Sequence, residues 1–416
     1  MRPKLLARGA VLPTVLAVCL FLAPAALGAV KCKVLHSFGT AGDGTVPAGA
    51  PVLDGEGNLY GVTGGGGTGQ CSDYGCGTVY ELMPGNNGKW KEVILHSFTA
   101  GSDGAGPWGA PVFDVSGDLY GAMVGDSSYA VGGVFELIPK PGGWSNDVIY
   151  ASGAGPGLVM DGSGNLYGGI GDGRYKYYGA IAELSPGSGG WNYADLYDFC
   201  SQYGCPDGWG LYYPLIWDGP DKLYGTTYYG GMGLQQCLYG CGVIFRMIRE
   251  SDGMWSYHVL HRFDPSTKDG LSPAAGLVMD AAGNFYGNTV GGGPNKTGTV
   301  FKLAYSGGRW KETQLYAFPN CADGCLPSGT MVFDKAGNLY GTASGGIVAC
   351  GGETCGTVFK LTPQKNGKWK YSVVYKFHGP DGFGPVAVIT DDKGHLFGTT
   401  GSGGKYNWGV AFEITP

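Results

Sequence analysis

A five-residue stretch, Gly57-Asn58-Leu59-Tyr60-Gly61, returns seven times with small changes, and this recurrence decides what the chain can fold into. The copies centre on Tyr60, Tyr120, Tyr167, Tyr224, Tyr286, Tyr340 and Phe397, at spacings of 47 to 62 residues. A period of that size marks a repeat architecture in which each unit is one supersecondary element. A wider window recovers a larger unit. A Val-x-Asp precedes the stretch, a Gly-Thr-Val-Phe-Glu-Leu-like run follows it, and then come a Trp and a Val-Leu-His-Ser-Phe.

The first unit holds four short apolar runs: Ala50 to Leu53, Leu59 to Thr63, Thr78 to Leu82 and Trp90 to Phe98. Asp54 to Asn58 and Pro84 to Gly88 have tight-turn chemistry, so neighbouring runs pair as antiparallel strands A to D. Seven such units predict an all-β, seven-bladed β-propeller, with blades near 47–98, 107–150, 156–199, 214–263, 273–318, 327–377 and 385–415. The Trp that opens strand D occurs six times, at 90, 144, 191, 255, 310 and 369, and the seventh blade stops without one. Lys33 to Phe38 has strand-D sequence and no strand C before it. Placed as the outer strand of blade seven, it would close the ring and remove an exposed edge.

Residues 1–28 read as a secretory signal peptide: Arg2, Lys4 and Arg8, an apolar run from Val11 to Leu27, then Ala26 and Gly28 at a cleavage site. Acylation at Cys19 is disfavoured by Val18 before it. No other long apolar run exists, so no membrane span is expected, and residues 29–416 form one domain, read as a monomer. Gly supplies 82 of 416 residues, yet 13% aromatic content and the unbroken repeat argue against disorder. Losing the leader moves the net charge of −6 three units further negative, which argues against nucleic acid as a partner.

Ten cysteines form close pairs: Cys71/Cys76, Cys200/Cys205, Cys237/Cys241, Cys321/Cys325 and Cys350/Cys355. In a secreted chain these read as disulfides, and zinc is the weaker alternative because no His lies nearby. Blades four and six each bring two pairs together, so bridges between loops, such as Cys200 to Cys237, compete with local ones. Cys32 is left over, as a free thiol or an intermolecular link.

On Val-x-Asp-x-x-Gly-Asn-Leu-Tyr-Gly-Thr-Thr, Gly-Gly-x-x-x-x-Gly-Thr-Val-Phe and the Trp-then-Leu-Tyr/His-x-Phe ending, the chain resembles the GloVer repeat family of secreted bacterial proteins over nearly its whole mature length. The resemblance implies a propeller-like repeat protein and no particular activity. Some members carry a C-terminal sorting segment; this chain ends at Ile414-Thr415-Pro416, so no surface tether is expected.

Strand alternation puts the short A–B and C–D turns on one face and the long B–C and D–A loops, with every Cys pair, on the other. Stapled loops suit a binding surface, because their ordering precedes the ligand. The D–A loops repeat Asp-Gly-x-x-Pro at Asp43, Asp103, Asp269, Asp323 and Asp381, with a stretched copy at Asp207. These carboxylates are expected to ring the channel mouth, to hold calcium or sugar hydroxyls, or else to act as Asx turns capping the loops. The same loops carry Tyr74, Trp108, Tyr129, Tyr175, Tyr177, Tyr178, Trp209, Tyr212, Tyr213, Tyr228, Tyr229, Tyr239, Tyr406 and Trp408, which suit sugar faces or shield the blade tops.

His36, His96 and His261 occupy a repeat position that is Tyr at 150, 197, 316 and 375, so packing rather than catalysis is expected there. No Ser-His-Asp set, HExxH or phosphate loop is present, and no catalytic residue is assigned. The leading expectation is a secreted binding or scaffold protein for a glycan or envelope protein. The alternative is a carbohydrate-active enzyme, lyase or hydrolase: Arg174, Lys176 and Tyr177 could neutralise a uronate and take its proton. A purely structural role in the envelope is the third.

Overall fold

The computed structural model describes residues 30–71, 74–125, 132–171, 178–231, 237, 239–345, 349–350 and 353–416, with backbone alone at 265, 349–350 and 353–354. The expected leader, with Cys19, lies outside them. Seven antiparallel sheets, each four strands deep, follow one another around a ring. The innermost strand of blade one is split into Gly44–Pro47 and Val52–Leu53, and that of blade five into Gly270–Pro273 and Val278–Met279, so these two blades start about three residues earlier than the repeat suggested.

The repeat motif is explained by two local requirements. In the A–B turn, Asp54 accepts hydrogen bonds from the backbone N–H groups of Glu56 and Asn58, the Asn58 amide and the Tyr60 hydroxyl. Asp161, Asp280 and Asp334 repeat the arrangement, so Asp, Asn and Tyr recur together because they form one cluster. The Gly after Leu-Tyr makes room for a ring. A Cβ on Gly61 would overlap Tyr80, and one on Gly121 would overlap Phe135, the strand-C aromatics of the same blades.

Blades are joined by apolar contacts of fixed register. The Phe that ends strand D packs on the strand-C aromatic of the next blade, as Phe98 on Phe135, Phe263 on Phe301 and Phe377 on Phe412, all fully buried. The strand-D Trp packs on the Tyr or Phe of the previous blade, as Trp191 on Tyr120 and Trp90 on Phe397. Prolines of the D–A loops seat against the Gly before strand C of the previous blade: Pro107 on Gly77, Pro273 on Gly242, Pro327 on Gly298, Pro385 on Gly356 and Pro47 on Gly409.

The chain ends close the ring. Lys31–Ser37 pairs antiparallel with Val410–Thr415 as the outer strand of blade seven, with Lys31 opposite Thr415 and Ser37 opposite Val410. Phe38 follows it into the core and packs on Tyr80 of blade one. The two described helical turns are short 3-10 segments, Asn86–Gly88 and Pro265–Thr267. No helix among the described residues is long and apolar enough to cross a membrane.

Candidate functional site

Strand D of every blade carries one extra residue, a β-bulge, at Leu35, Leu95, Ile149, Leu196, Leu260, Leu315 or Val374. A bulge re-aims the side chain that follows it. Here that side chain is the His or Tyr of the repeat, and its partner at most seams is the Asp of the next D–A loop. His36 Nε2 lies 3.0 Å from Asp43, His261 Nε2 2.8 Å from Asp269 and His96 Nε2 3.3 Å from Asp103, while the Tyr197 and Tyr375 hydroxyls donate to Asp207 and Asp381. The carboxylates also cap the loops. Asp43 accepts from the N–H of Gly39 and Gly44, Asp103 from Thr99 and Gly101, Asp207 from Cys200, Asp269 from Gly270 and Asp381 from His378. Asp323 is held by Lys376 at 2.8 Å.

The six carboxylates therefore sit at the seams, against the outer strands, and do not line the channel mouth where their spacing in the repeat suggested they would converge. The innermost strands meet around the axis through Ala48, Gly49, Trp108, Gly109, Tyr213 and Pro214, leaving a void of about 100 Å³. Calcium wants six to eight oxygens on one centre, and the dispersed ring does not supply that.

A third position completes each seam: the residue two after the strand-D Trp of the following blade, which is Glu92, Asn146, Tyr193, Tyr257, Glu312, Tyr371 or, in the closing strand, Cys32. Where the first position is Tyr, this one is Tyr or Cys. Tyr197 stacks on Tyr257 at 4.1 Å and Tyr316 on Tyr371 at 4.2 Å. Between blades two and three, where the Asp is missing, Tyr150 stacks on Tyr193 at 4.7 Å. Where the first position is His, the third is Glu or Asn. Repeat alignment could have exposed this pairing, but the two Glu look like ordinary charges on an outer strand.

Burial dominates the electrostatics of these seams. It pushes Glu92 up to about 9, helped by a hydrogen bond to Asp43 and the charge of that carboxylate. Asp43 is pushed up by burial, but His36, Glu92 and the Gly39 N–H hold it below the usual carboxylate range. Burial and the Asp269 charge push Glu312 up to about 7, with His261 opposing. Glu312 and His261 border an open cleft of about 560 Å³ with Lys268, Arg309 and Lys311. Cys32 is a free thiol among the described residues, raised to about 12 by burial and by Asp381.

The loop face brings most of its described aromatics into one cluster on blades three and four. Trp209 stacks on Tyr229 at 4.4 Å, and the two exchange backbone hydrogen bonds of 3.1 Å. Tyr178 meets Trp209 edge-on at 5.3 Å, Tyr239 stands 5.8 Å from Tyr229, and Tyr212 and Tyr228 flank Tyr229. Gly210, with φ +76, lets the chain turn directly between the rings of Tyr212 and Tyr229. Beside the cluster lies a cleft of about 210 Å³ with a floor of Gly153, Gly155, Gly169 and Gly210 and walls of Tyr178 and Tyr212. Tyr212 and Tyr239 are 42% and 57% exposed, so the aromatic surface is open to solvent.

Other expected site residues fall elsewhere. Trp108 lines the channel void, and Trp408 packs edge-on against Tyr74 at 5.7 Å over the closing seam. Arg174, Tyr175, Lys176, Tyr177 and Tyr129 lie outside the described residues. The disulfides are local: Cys71–Cys76, Cys200–Cys205, Cys237–Cys241 and Cys321–Cys325. All four staple B–C or D–A loops, and two of them hold the segments that carry Trp209 and Tyr239. Cys355 is also disulfide-bonded, and the side chain of Cys350 lies outside the described residues.

Comparison with known families resolves what these repeats are. Three overlapping matches to the Gloeobacter/Verrucomicrobia repeat span residues 25–235, 146–349 and 214–416, taking in every blade. The chain belongs to this family. No curated protein matches this Gloeobacter/Verrucomicrobia repeat protein in sequence. Among solved structures it is similar to an ulvan lyase of a polysaccharide lyase family bound to -[GlcA(1-4)Rha3S]-, at 10% identity and TM-score 0.54 over 89% of this chain and 94% of that one. It is also similar to a luciferin-regenerating enzyme, at 14% identity and TM-score 0.44 over 74% and 90% of the two chains. A third, of unknown function, comes from Dyadobacter fermentans, at 9% identity and TM-score 0.43 over 93% and 99%. At such identities the likeness is one of fold.

Proposed function

We propose that this Gloeobacter/Verrucomicrobia repeat protein is a secreted binding or scaffold propeller that holds carbohydrate on the loop face of blades three and four. The observation that carries this reading is the Trp209–Tyr229 stack with Tyr178, Tyr212 and Tyr239, beside a glycine-rich cleft that Tyr178 and Tyr212 line. Flat rings with polar edges match the C–H faces and hydroxyls of a pyranose, and glycine lets a sugar ring approach the backbone. Local disulfides hold the flanking loops before any ligand arrives, which lowers the ordering cost of binding. They also fit the oxidising compartment to which a leader at 1–28 would send the chain. The ulvan lyase supports carbohydrate as the ligand class at the level of fold only.

A glycan array with the disulfide-intact protein tests the reading. Expected are hits that disappear in Trp209→Ala, and no new reducing or unsaturated ends when a hit is incubated with the protein. Product formation would replace the reading with a lyase or hydrolase. Silence on the array, or hits indifferent to Trp209, would leave an envelope protein or a structural role in its place.

A further inference from the structure

We propose that His36, Asp43 and Glu92 form a binding site for one divalent transition-metal ion of the zinc class, placed where the ring closes. His36 belongs to the closing strand Lys31–Ser37, Asp43 to the loop that enters blade one, and Glu92 to the outer strand Trp90–Ser97 of that blade. One nitrogen or oxygen of each lies within 4.8 Å of the others. His36 Nε2 is 3.0 Å from Asp43 Oδ2 and 3.5 Å from Glu92 Oε2. Ligands bound to zinc at about 2.0–2.2 Å stand about 3.0–3.5 Å apart, so both distances from His36 already match a coordination shell.

A second observation favours a cation here. The Asp43 side chain is 2% exposed and that of Glu92 15%. Two carboxylates buried this close repel each other, and a cation between them offsets that repulsion. The other seams of the molecule serve as internal controls. At the His96/Asp103 seam the third residue is Asn146, which brings no second carboxylate. At the His261/Asp269 seam Glu312 is present, but the three do not converge within ligand reach. Among the described residues, His36, Asp43 and Glu92 are the one group of three or more His, Cys, Asp and Glu that does so. One imidazole with two carboxylates suits zinc, cobalt or manganese and does not supply calcium with enough oxygens.

The test is titration of chelator-stripped, disulfide-intact protein with Zn²⁺ by calorimetry, alongside its melting curve and its Co²⁺ absorption spectrum. Expected are one saturable site per chain, a melting temperature raised by several degrees, and weak Co²⁺ d–d bands. In Glu92→Gln, whose amide can still donate to Asp43, binding should weaken at least tenfold, and the thermal shift and bands should be lost. His36→Tyr, which installs the residue found at other seams, should behave the same way. Ca²⁺ should produce no shift in any form. Equal Zn²⁺ affinity and equal thermal shift in wild type and Glu92→Gln would overturn the proposal, and so would the absence of saturable binding to wild type. If His36→Tyr fails to fold, the Glu92→Gln comparison decides alone.

Discussion

The hydroxyl of Thr399 donates a 2.8 Å hydrogen bond to the carbonyl of Gly49, 350 residues away in sequence. It joins blades seven and one on the inner side of the seam, while Lys31–Ser37 pairs with Val410–Thr415 on the outer side of blade seven. Deleting residues 31–38 removes the outer seal, with the fully buried Phe38, and leaves Val410–Thr415 as an open edge. The melting temperature of the truncated protein should fall by at least about 5 °C in a calorimetric scan. An unaltered melt would mean that the remaining contacts across this seam, among them Pro47 on Gly409 and Trp90 on Phe397, maintain the ring without it.

Gly77 lies at φ +92, and a Cβ there would come within 2.5 Å of Pro107 Cδ in the next blade. Gly77→Ala therefore combines backbone strain with a clash that neither rigid partner can relieve. Its cost should be about 2–4 kcal/mol, read from urea midpoints. Gly55→Ala, at a turn with open space around it, should cost under about 1 kcal/mol.

Glu312 should give the stability curve a measurable slope. Its carboxyl is pushed from the ordinary 4.5 up to about 7, so between those values the folded state holds more protons than the unfolded chain. Stability must then fall as pH rises from about 4.5 to about 7. Glu312→Gln should flatten that decline, matching wild type near pH 4 and exceeding it near pH 8 by on the order of 1 kcal/mol, a partly exposed group being screened by solvent. Parallel curves for the two proteins over this range would contradict the assignment.

Trp209→Ala should abolish carbohydrate binding on the array at a stability cost of only about 1–2 kcal/mol, because Trp209 is partly buried at the loop-side edge of one core cluster. Trp90→Ala, which withdraws a strand-D ring from Phe397, should reverse the pattern: about 3 kcal/mol or more of stability lost and binding retained. The pair separates rings that recognise a ligand from rings that hold blades together.

How much of this was legible in the sequence varies from residue to residue. The hairpin at Asp54 to Asn58 could be read because the turn writes its hydrogen-bonding partners into adjacent positions. Closure by Lys31–Ser37 could be read because a strand-D sequence without its strand C has one vacancy to fill. The seam carboxylates were misplaced for a specific reason: a single bulge residue such as Leu95 does not disturb an apolar pattern, yet it turns His96 toward Asp103 and draws the Asp outward. Glu92 was passed over because a charge on an outer strand is ordinarily solvated, and only the neighbouring blade makes this one buried. Disulfide partners in blades four and six were undecidable because both pairings join loops on the same face.

The seating of Pro107 on Gly77, repeated at four other seams, holds the step from one sheet to the next at the anchored ends of the long loops and leaves their middles free. Those loops can then lengthen, shrink or exchange their chemistry while the wheel keeps its pitch. A lineage built on this unit can renew what it displays to its surroundings many times over and inherit the same hub unchanged.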